Sequence, residues 1–198
     1  MPRDERPGVV ILAGPNGSGK STSALRLLKG TLGVLEFVNA DVIARGLSGF
    51  SPEKAAMAAG RVMLARLKEL AEKREDFAFE TTLASRTFAP WLEGLIESGY
   101  ACHIVFLWLP NPEVAIARVA DRVRMGGHNV PEETIRRRYV AGIKNFFELY
   151  RDLATTWKML DNSHGRWTTL VAAGQGNLTE EIRNETQWRR ILGQAGLG

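Results

Sequence analysis

The sequence predicts an α/β fold built on a mainly parallel sheet of about five to six strands, covered by helices on both faces in a three-layer sandwich. Three observations predict it. Short, near-continuous apolar runs alternate with stretches of helical periodicity, the pattern of strands buried on both faces and joined by crossover helices. The first apolar run leads into a glycine-rich turn and then directly into a helix. The chain of 198 residues is long enough for one full core, and no internal repeat, low-complexity stretch or linker divides it. A single domain over residues 1–198 is therefore expected.

The elements follow in order. GVVILA (8–13) is fully apolar and bounded by glycine, which makes it a buried first strand. GPNGSGKS comes next, and STSALRLLK continues as a helix. LEFVNA (35–40) is the second strand. Residues 52–73 place Ala56, Ala59, Met63, Leu67 and Leu70 at helical spacing, with Pro52 suited to the first turn and Ser51 to the N-cap. FAFETTL (77–83) is the third strand, and residues 88–99 form a helix that stops at Gly99. ACHIVFLWL (101–109) is the fourth and most apolar strand; residues 112–125 and 131–150 read as two helices. WKMLDNS (157–163) and WTTLVAA (167–173) are further strands, able to pair as a hairpin across His164, Gly165 and Arg166. GQGN (174–177) is a turn, and a last helix covers roughly 180–192.

A net charge of +4 and a pI of about 9.5 point to anionic partners. Much of the excess is arginine around residues 118–138, which small-molecule phosphates explain as well as nucleic acid does. Cys102 is the lone cysteine, so no internal disulfide forms; it sits inside an apolar run and reads as a core residue in a reducing compartment. No apolar run approaches a membrane span, and the charged start MPRDERPG does not resemble a signal peptide. A cytoplasmic protein without membrane attachment is expected.

Gly14-Pro15-Asn16-Gly17-Ser18-Gly19-Lys20-Ser21 matches the phosphate-binding pattern G-x-x-x-x-G-K-[ST] in full, and it lies between a buried strand and a helix as that chemistry requires. Glycines let backbone N–H groups curl around a phosphate, and the helix N-terminus adds positive potential. Lys20 is expected on the β- and γ-phosphates and Ser21 on Mg²⁺, with Gly14, Asn16, Gly17, Ser18, Gly19 and Thr22 completing the nucleotide cradle. The fold class is thus a P-loop NTPase, and the cofactors are ATP and Mg²⁺.

Acidic residues discriminate among P-loop chemistries. The strongest strand runs out as CHIVFLWLPNP with no acid at its end, which counts against a motor or transporter ATPase. Asp41 follows strand two and Glu80 lies near the end of strand three. The carboxyl ends of parallel strands line the ligand crevice, so both acids are expected beside the γ-phosphate. One could take a proton from an acceptor hydroxyl; the other could bind a second hydroxyl, orient Lys20 or help hold Mg²⁺. Asp41 could equally cap the helix VIARGL. Thr81, next to Glu80, joins it on the expected acceptor side.

The segment RVRMGGHNVPEETIRRRY (122–139) holds five arginines. One histidine, His128, does not make a zinc site, and Ile135, Tyr139, Ile143, Phe146 and Tyr150 follow the spacing of a core face rather than a base-stacking platform, so nucleic acid is not the expected partner. On that helix Arg137 points to solvent, whereas Arg136 and Arg138 flank the buried face. Gly126 and Gly127 offer a flexible break and Pro131 a fixed restart, which suggests a lid over residues 118–139 whose arginines, Arg122, Arg124 and Arg138 among them, clamp phosphate oxygens.

AGPNGSGKS, then FVNAD with Asp41 placed 21 residues after Lys20, then FETTL, then GGHNVPEETIRRRY together resemble the zeta-toxin family of P-loop kinases, in particular its compact bacterial branch of UDP-N-acetylglucosamine kinase-like proteins. The likeness covers roughly residues 9–163. It implies a nucleoside-kinase-like sheet and transfer of the ATP γ-phosphate to a hydroxyl of a nucleotide sugar. By motif, Asp41 matches the base that activates the acceptor, Glu80 an acceptor-site acid, and the arginines after strand four, with Arg138 preferred to Arg136, those that clamp the phosphates. The loop Asp161-Asn162-Ser163 falls near the adenine in kinases of this architecture, which adds Asn162 to the nucleotide site. The first strand begins within about eight residues of the start, which leaves no room for the helix that contacts an antitoxin partner and speaks against antitoxin pairing and toxicity. The alternatives are a nucleoside, gluconate-like or polynucleotide kinase, or a nucleotide-switch ATPase without an acceptor.

Overall fold

A computed structural model describes residues 6–24, 27–28, 33–49, 51–127, 129–165 and 167–198. Among these residues, seven strands form one sheet in the order β2-β3-β1-β4-β5-β6-β7. The strands are β1 (Gly8–Ala13), β2 (Glu36–Val38), β3 (Phe77–Thr81), β4 (Ala101–Trp108), β5 (Thr156–Asp161), β6 (Thr169–Gln175) and β7 (Leu178–Ile182). The first five pair in parallel; β6 and β7 extend the sheet antiparallel. The β5–β6 hairpin is as expected. The seventh strand is a correction, because residues 178–182 were assigned in part to the last helix. That helix, α8 (Glu185–Ala195), starts later, behind an Asn184 cap whose side chain accepts from Gln187 N.

The other helices are α1, described over Lys20–Ala24, α2 (Ala40–Leu47), α3 (Ala56–Glu72), α4 (Ala89–Glu97), α5 (Pro112–Arg124), α6 (Glu132–Asn145) and a short α7 (Arg151–Leu153). The rest of the helix expected after Lys20 lies partly outside the described residues, as do His128 and Arg166. Two caps differ from expectation. Residues Pro52–Ala55 form a 3₁₀ turn ahead of α3, so Ser51 does not cap that helix; its carbonyl accepts from Lys54 N instead. Asn39, not Asp41, caps α2, its side chain accepting from the backbone N–H of Asp41 and of Val42.

Strand periodicity splits the core in two. Val9, Ile11, Phe77, Phe79, Cys102, Ile104 and Phe106 face the larger cluster, with residues of α3, α4, α6 and α8. Val10, Leu12, Ala78, Val105 and Leu107 face the smaller one, with Ala24 and Leu28. Alternate side chains of one strand point to opposite faces, so each central strand is apolar throughout because both faces are covered. Burial raises the Cys102 thiol to about 12, which makes it an inert core residue. No helix among the described residues is long and apolar enough to cross a membrane.

Register sets up the site. Leu12 lies opposite Glu80, and Ala13 opposite both Thr81 and Phe106. The turn that leaves β1 therefore emerges beside the acidic end of β3, on the carboxyl edge of the sheet.

Candidate functional site

The loop after β1 is built for close approach. Gly14, Gly17 and Gly19 have φ values of 137°, 75° and 82°. A Cβ at Gly14 would lie 2.3 Å from the Leu107 carbonyl oxygen, and one at Gly19 would lie 2.7 Å from Asn162 Nδ2; both contacts forbid a side chain. Lys20 heads α1 and is buried, with Nζ donating to the carbonyls of Gly14 and Pro15, both at 2.9 Å. Burial lowers its pKa below the usual lysine value, Glu80 and Asp41 oppose that shift, and Arg122 and Arg138 add to it. Asn16 Oδ1 and Ser18 Oγ are buried without a hydrogen-bond partner among the described residues.

Carboxylates close the other side. Glu80 Oε1 is 3.8 Å from Lys20 Nζ. Its Oε2 accepts from Ser21 Oγ at 2.8 Å and from Asn39 Nδ2 at 2.7 Å. Asn39, buried at the end of β2, thus caps α2 with its oxygen and orients Glu80 with its nitrogen; sequence reasoning overlooked it, although a polar residue at the inner end of an apolar strand was the available signal. Asp41 lies in the first turn of α2 and lines the same cleft, a space of about 340 Å³ also bounded by Asn16, Gly19, Lys20, Ser21, Thr22 and Glu80. Thr81 is half-buried at the end of β3, its hydroxyl accepting from Leu83 N. An ammonium, a hydroxyl and a carboxylate brought together on a glycine cradle suit a phosphate chain and a hard cation with oxygen ligands, and the two orphan oxygens of Asn16 and Ser18 suit a polar ligand there.

The arginine segment divides. Arg118 and Arg122, one turn apart on α5, both line the cleft. Arg118 Nη2 donates to Ser163 O at 2.6 Å; this arginine was overlooked, and its i,i+4 relation to Arg122 was the signal. Arg124 points away, exposed and paired with Asp121. Arg136 is spent on the surface, 2.6 Å from Glu113 and 2.7 Å from Glu132, so that it ties α6 to α5. Arg137 is exposed and Arg138 half-buried. The Arg138 pKa is lowered by burial and by Arg137, with Asp41 opposing; unlike Arg122, Arg138 is not among the residues that line the cleft.

The Gly126-Gly127 pair closes α5. Gly126 has φ 81°, its N–H donates to Val123 O at 2.9 Å, and Gly127 N–H donates to Arg122 O at 2.9 Å. That pattern is a Schellman cap closing α5. A Cβ at Gly127 would lie 2.5 Å from Arg122 Cγ, so the glycine makes room for the arginine stem. Helix α6 is anchored as well: the Tyr139 hydroxyl donates to Leu109 O at 2.7 Å, and Asn145 Nδ2 donates to Leu83 O at 2.8 Å.

Asn162 is buried and donates from Nδ2 to Ser18 O at 2.7 Å. It braces the phosphate loop from the end of β5 and lines the cleft beside Gly19.

Fold and cradle together define a P-loop NTPase domain of kinase-like architecture. The chain belongs to the AAA domain family, which it matches over residues 9–139. It is 28% identical over 130 residues to an uncharacterized protein of Haemophilus influenzae, covering 66% of this chain and 91% of that one. In structure it is similar to a chain of the AvrRxo1-ORF1:-ORF2 complex with ATP (TM-score 0.75, 17% identity, 94% of this chain) and spans 63% of that chain's length. It is similar as well to a chain of the PezAT chromosomal toxin–antitoxin system of Streptococcus pneumoniae (TM-score 0.63, 14% identity, 98% of this chain and 86% of that one). A gluconokinase of Sinorhizobium meliloti shares the fold at a TM-score of 0.50, with 16% identity over 98% of this chain and 94% of that one. At these identities the likeness is one of fold.

Proposed function

We propose that this protein is an ATP- and Mg²⁺-dependent small-molecule kinase that transfers the γ-phosphate to a sugar hydroxyl, with UDP-N-acetylglucosamine or a related nucleotide sugar as the leading acceptor. The observation that carries the reading is that Asp41 and Glu80 share one cleft with buried Lys20, while Arg118 and Arg122 line it from α5. Glu80 is fixed on Ser21, which leaves Asp41 as the carboxylate available to an acceptor hydroxyl. The acceptor class rests on the zeta-toxin resemblance of the four motifs.

The two acids divide the labour. Glu80, held by Ser21 and Asn39, would share with Ser21 the task of holding Mg²⁺, which would supply charge neutralisation to the phosphate chain. Asp41 sits on the first turn of α2, with no side-chain hydrogen bond among the described residues, and it takes the acceptor hydroxyl proton as the oxygen attacks phosphorus in line. Lys20, Arg122 and Arg138 stabilise charge on the transferring group. Thr81 belongs to the acceptor side, and the cradle from Gly14 to Thr22, through its backbone N–H groups, to the nucleotide. Such chemistry fits a cytoplasmic enzyme with ready access to ATP.

The deciding experiment incubates the protein with ATP, Mg²⁺ and a panel of nucleotide sugars, nucleosides, gluconate and 5′-hydroxyl polynucleotides, with products followed by phosphorus NMR and mass spectrometry. A new phosphomonoester on a nucleotide sugar is the expected result. Free phosphate alone, at a rate no acceptor changes, would sink the kinase reading in favour of a nucleotide-switch ATPase.

A further inference from the structure

The buried carboxylate of Asp161 has no role in the chemistry above. It ends β5, is 2% exposed, and is satisfied by neutral donors: Ser163 N at 2.8 Å, the Ser163 hydroxyl, and Gln187 Nε2 at 2.6 Å. Burying a carboxylate is unfavourable unless hydrogen bonds offset the lost hydration, so the position of this one calls for a purpose. Its neighbours show where its geometry is felt. Asn162 donates to Ser18 O in the phosphate loop, and Ser163 O accepts from Arg118 on α5. A single three-residue turn, fixed by Asp161, thus touches the floor of the cradle and an arginine of its wall. Gln187 lies on α8, beyond the segment 9–139 matched to the family, so the clamp on this turn is supplied by the C-terminal part of the chain.

We propose that Asp161 and Gln187 are positioning residues for the phosphate loop: they lock the turn that presses Asn162 against Ser18, and so set the cradle for the nucleotide. The inference rests on the nucleotide-binding half of the function above and not on the acceptor. Gln187 can present either its amide nitrogen or its oxygen, so replacing the carboxylate by an amide leaves a bond available after the glutamine amide turns over, whereas a methyl leaves none.

The test is the Kd for Mg·ADP, measured by isothermal titration calorimetry at a temperature where every variant is folded by circular dichroism. Asp161→Ala and Gln187→Ala each weaken binding by about three- to tenfold, the range of one lost hydrogen bond, and Asp161→Asn recovers most of what Asp161→Ala loses. Gln194→Ala is the control. It cuts another tether of α8, in which Gln194 Oε1 accepts from Trp108 Nε1 and Gln194 Nε2 donates to Pro110 O, both at 2.9 Å; it lowers the melting temperature while leaving the Kd unchanged. If the wild type binds Mg·ADP and Gln187→Ala binds it equally well, the inference is overturned while the kinase reading stands. It is overturned as well if Gln194→Ala weakens binding as much as Gln187→Ala, since affinity would then track general stability. If the wild type does not bind Mg·ADP, the nucleotide reading itself fails.

Discussion

The two walls of the cleft are made differently. On the phosphate side the groups hold one another: Lys20 is buried on two loop carbonyls, Glu80 is shared by Ser21 and Asn39, and Asn162 braces the loop through Ser18 O. On the far side Asp41 stands on the first turn of α2, a helix that buries only Ala44 among its residues and leaves Val42 and Leu47 more than half exposed. The difference suits the two substrates. A triphosphate presents the same charge and shape at every turnover, and preorganisation against it lowers the barrier without further movement. An acceptor must enter, be oriented and leave, and a less committed wall lets it do so. On the proposed kinase reading, the nucleotide half of the site is pre-built and specificity for the acceptor belongs to the looser half.

The largest expected effects fall on one group of each wall, Lys20 and Asp41. Lys20→Ala removes the main cation from the γ-phosphate and lowers the transfer rate by more than about 10³-fold; a loss under tenfold in a coupled kinase assay would break the comparison. Asp41→Asn leaves Mg·ATP affinity within about twofold and lowers transfer by roughly 10²- to 10⁴-fold, read by calorimetry and by product formation on the same sample. Transfer near the wild-type rate would remove Asp41 from the base role. Gly19→Ala forces a Cβ onto Asn162 at a φ of 82° and weakens nucleotide binding and stability together, by about 1–3 kcal/mol in each, seen as a lower melting temperature and a higher Kd. The smallest contrast is on α6: Arg138→Ala slows transfer by about tenfold and Arg137→Ala by less than about twofold. Equal effects would show that burial does not distinguish them.

Much of the fixed wall was legible because each part carries a strong local constraint. A full glycine loop between an apolar strand and a helix leaves few alternatives, and the parallel strands are apolar on both faces. The edge was harder. β7 alternates exposed and half-buried residues and holds none that are fully buried, so Leu178-Thr179-Glu180-Glu181-Ile182 lacks the apolar run that marks the inner strands, and its Glu180 and Glu181 resemble a helix start. Asn39, Arg118 and Asp161 act through contacts with residues far away in sequence, at separations of 41, 45 and 26 residues, which no local pattern encodes. Arg124 shows the converse: residue type and spacing marked it as a phosphate ligand, while nearby Asp121 takes it into a surface pair.

Gly127 carries a consequence for how substitutions in this protein are to be interpreted. It has no side chain and touches nothing in the cradle, yet the stem of Arg122 occupies the space where its Cβ would stand. Any other residue at 127 displaces a guanidinium that lines the cleft. In a saturation scan, position 127 will therefore score like an arginine of the site, and a mutation-tolerance map will draw the functional boundary one turn wider than the reactive groups.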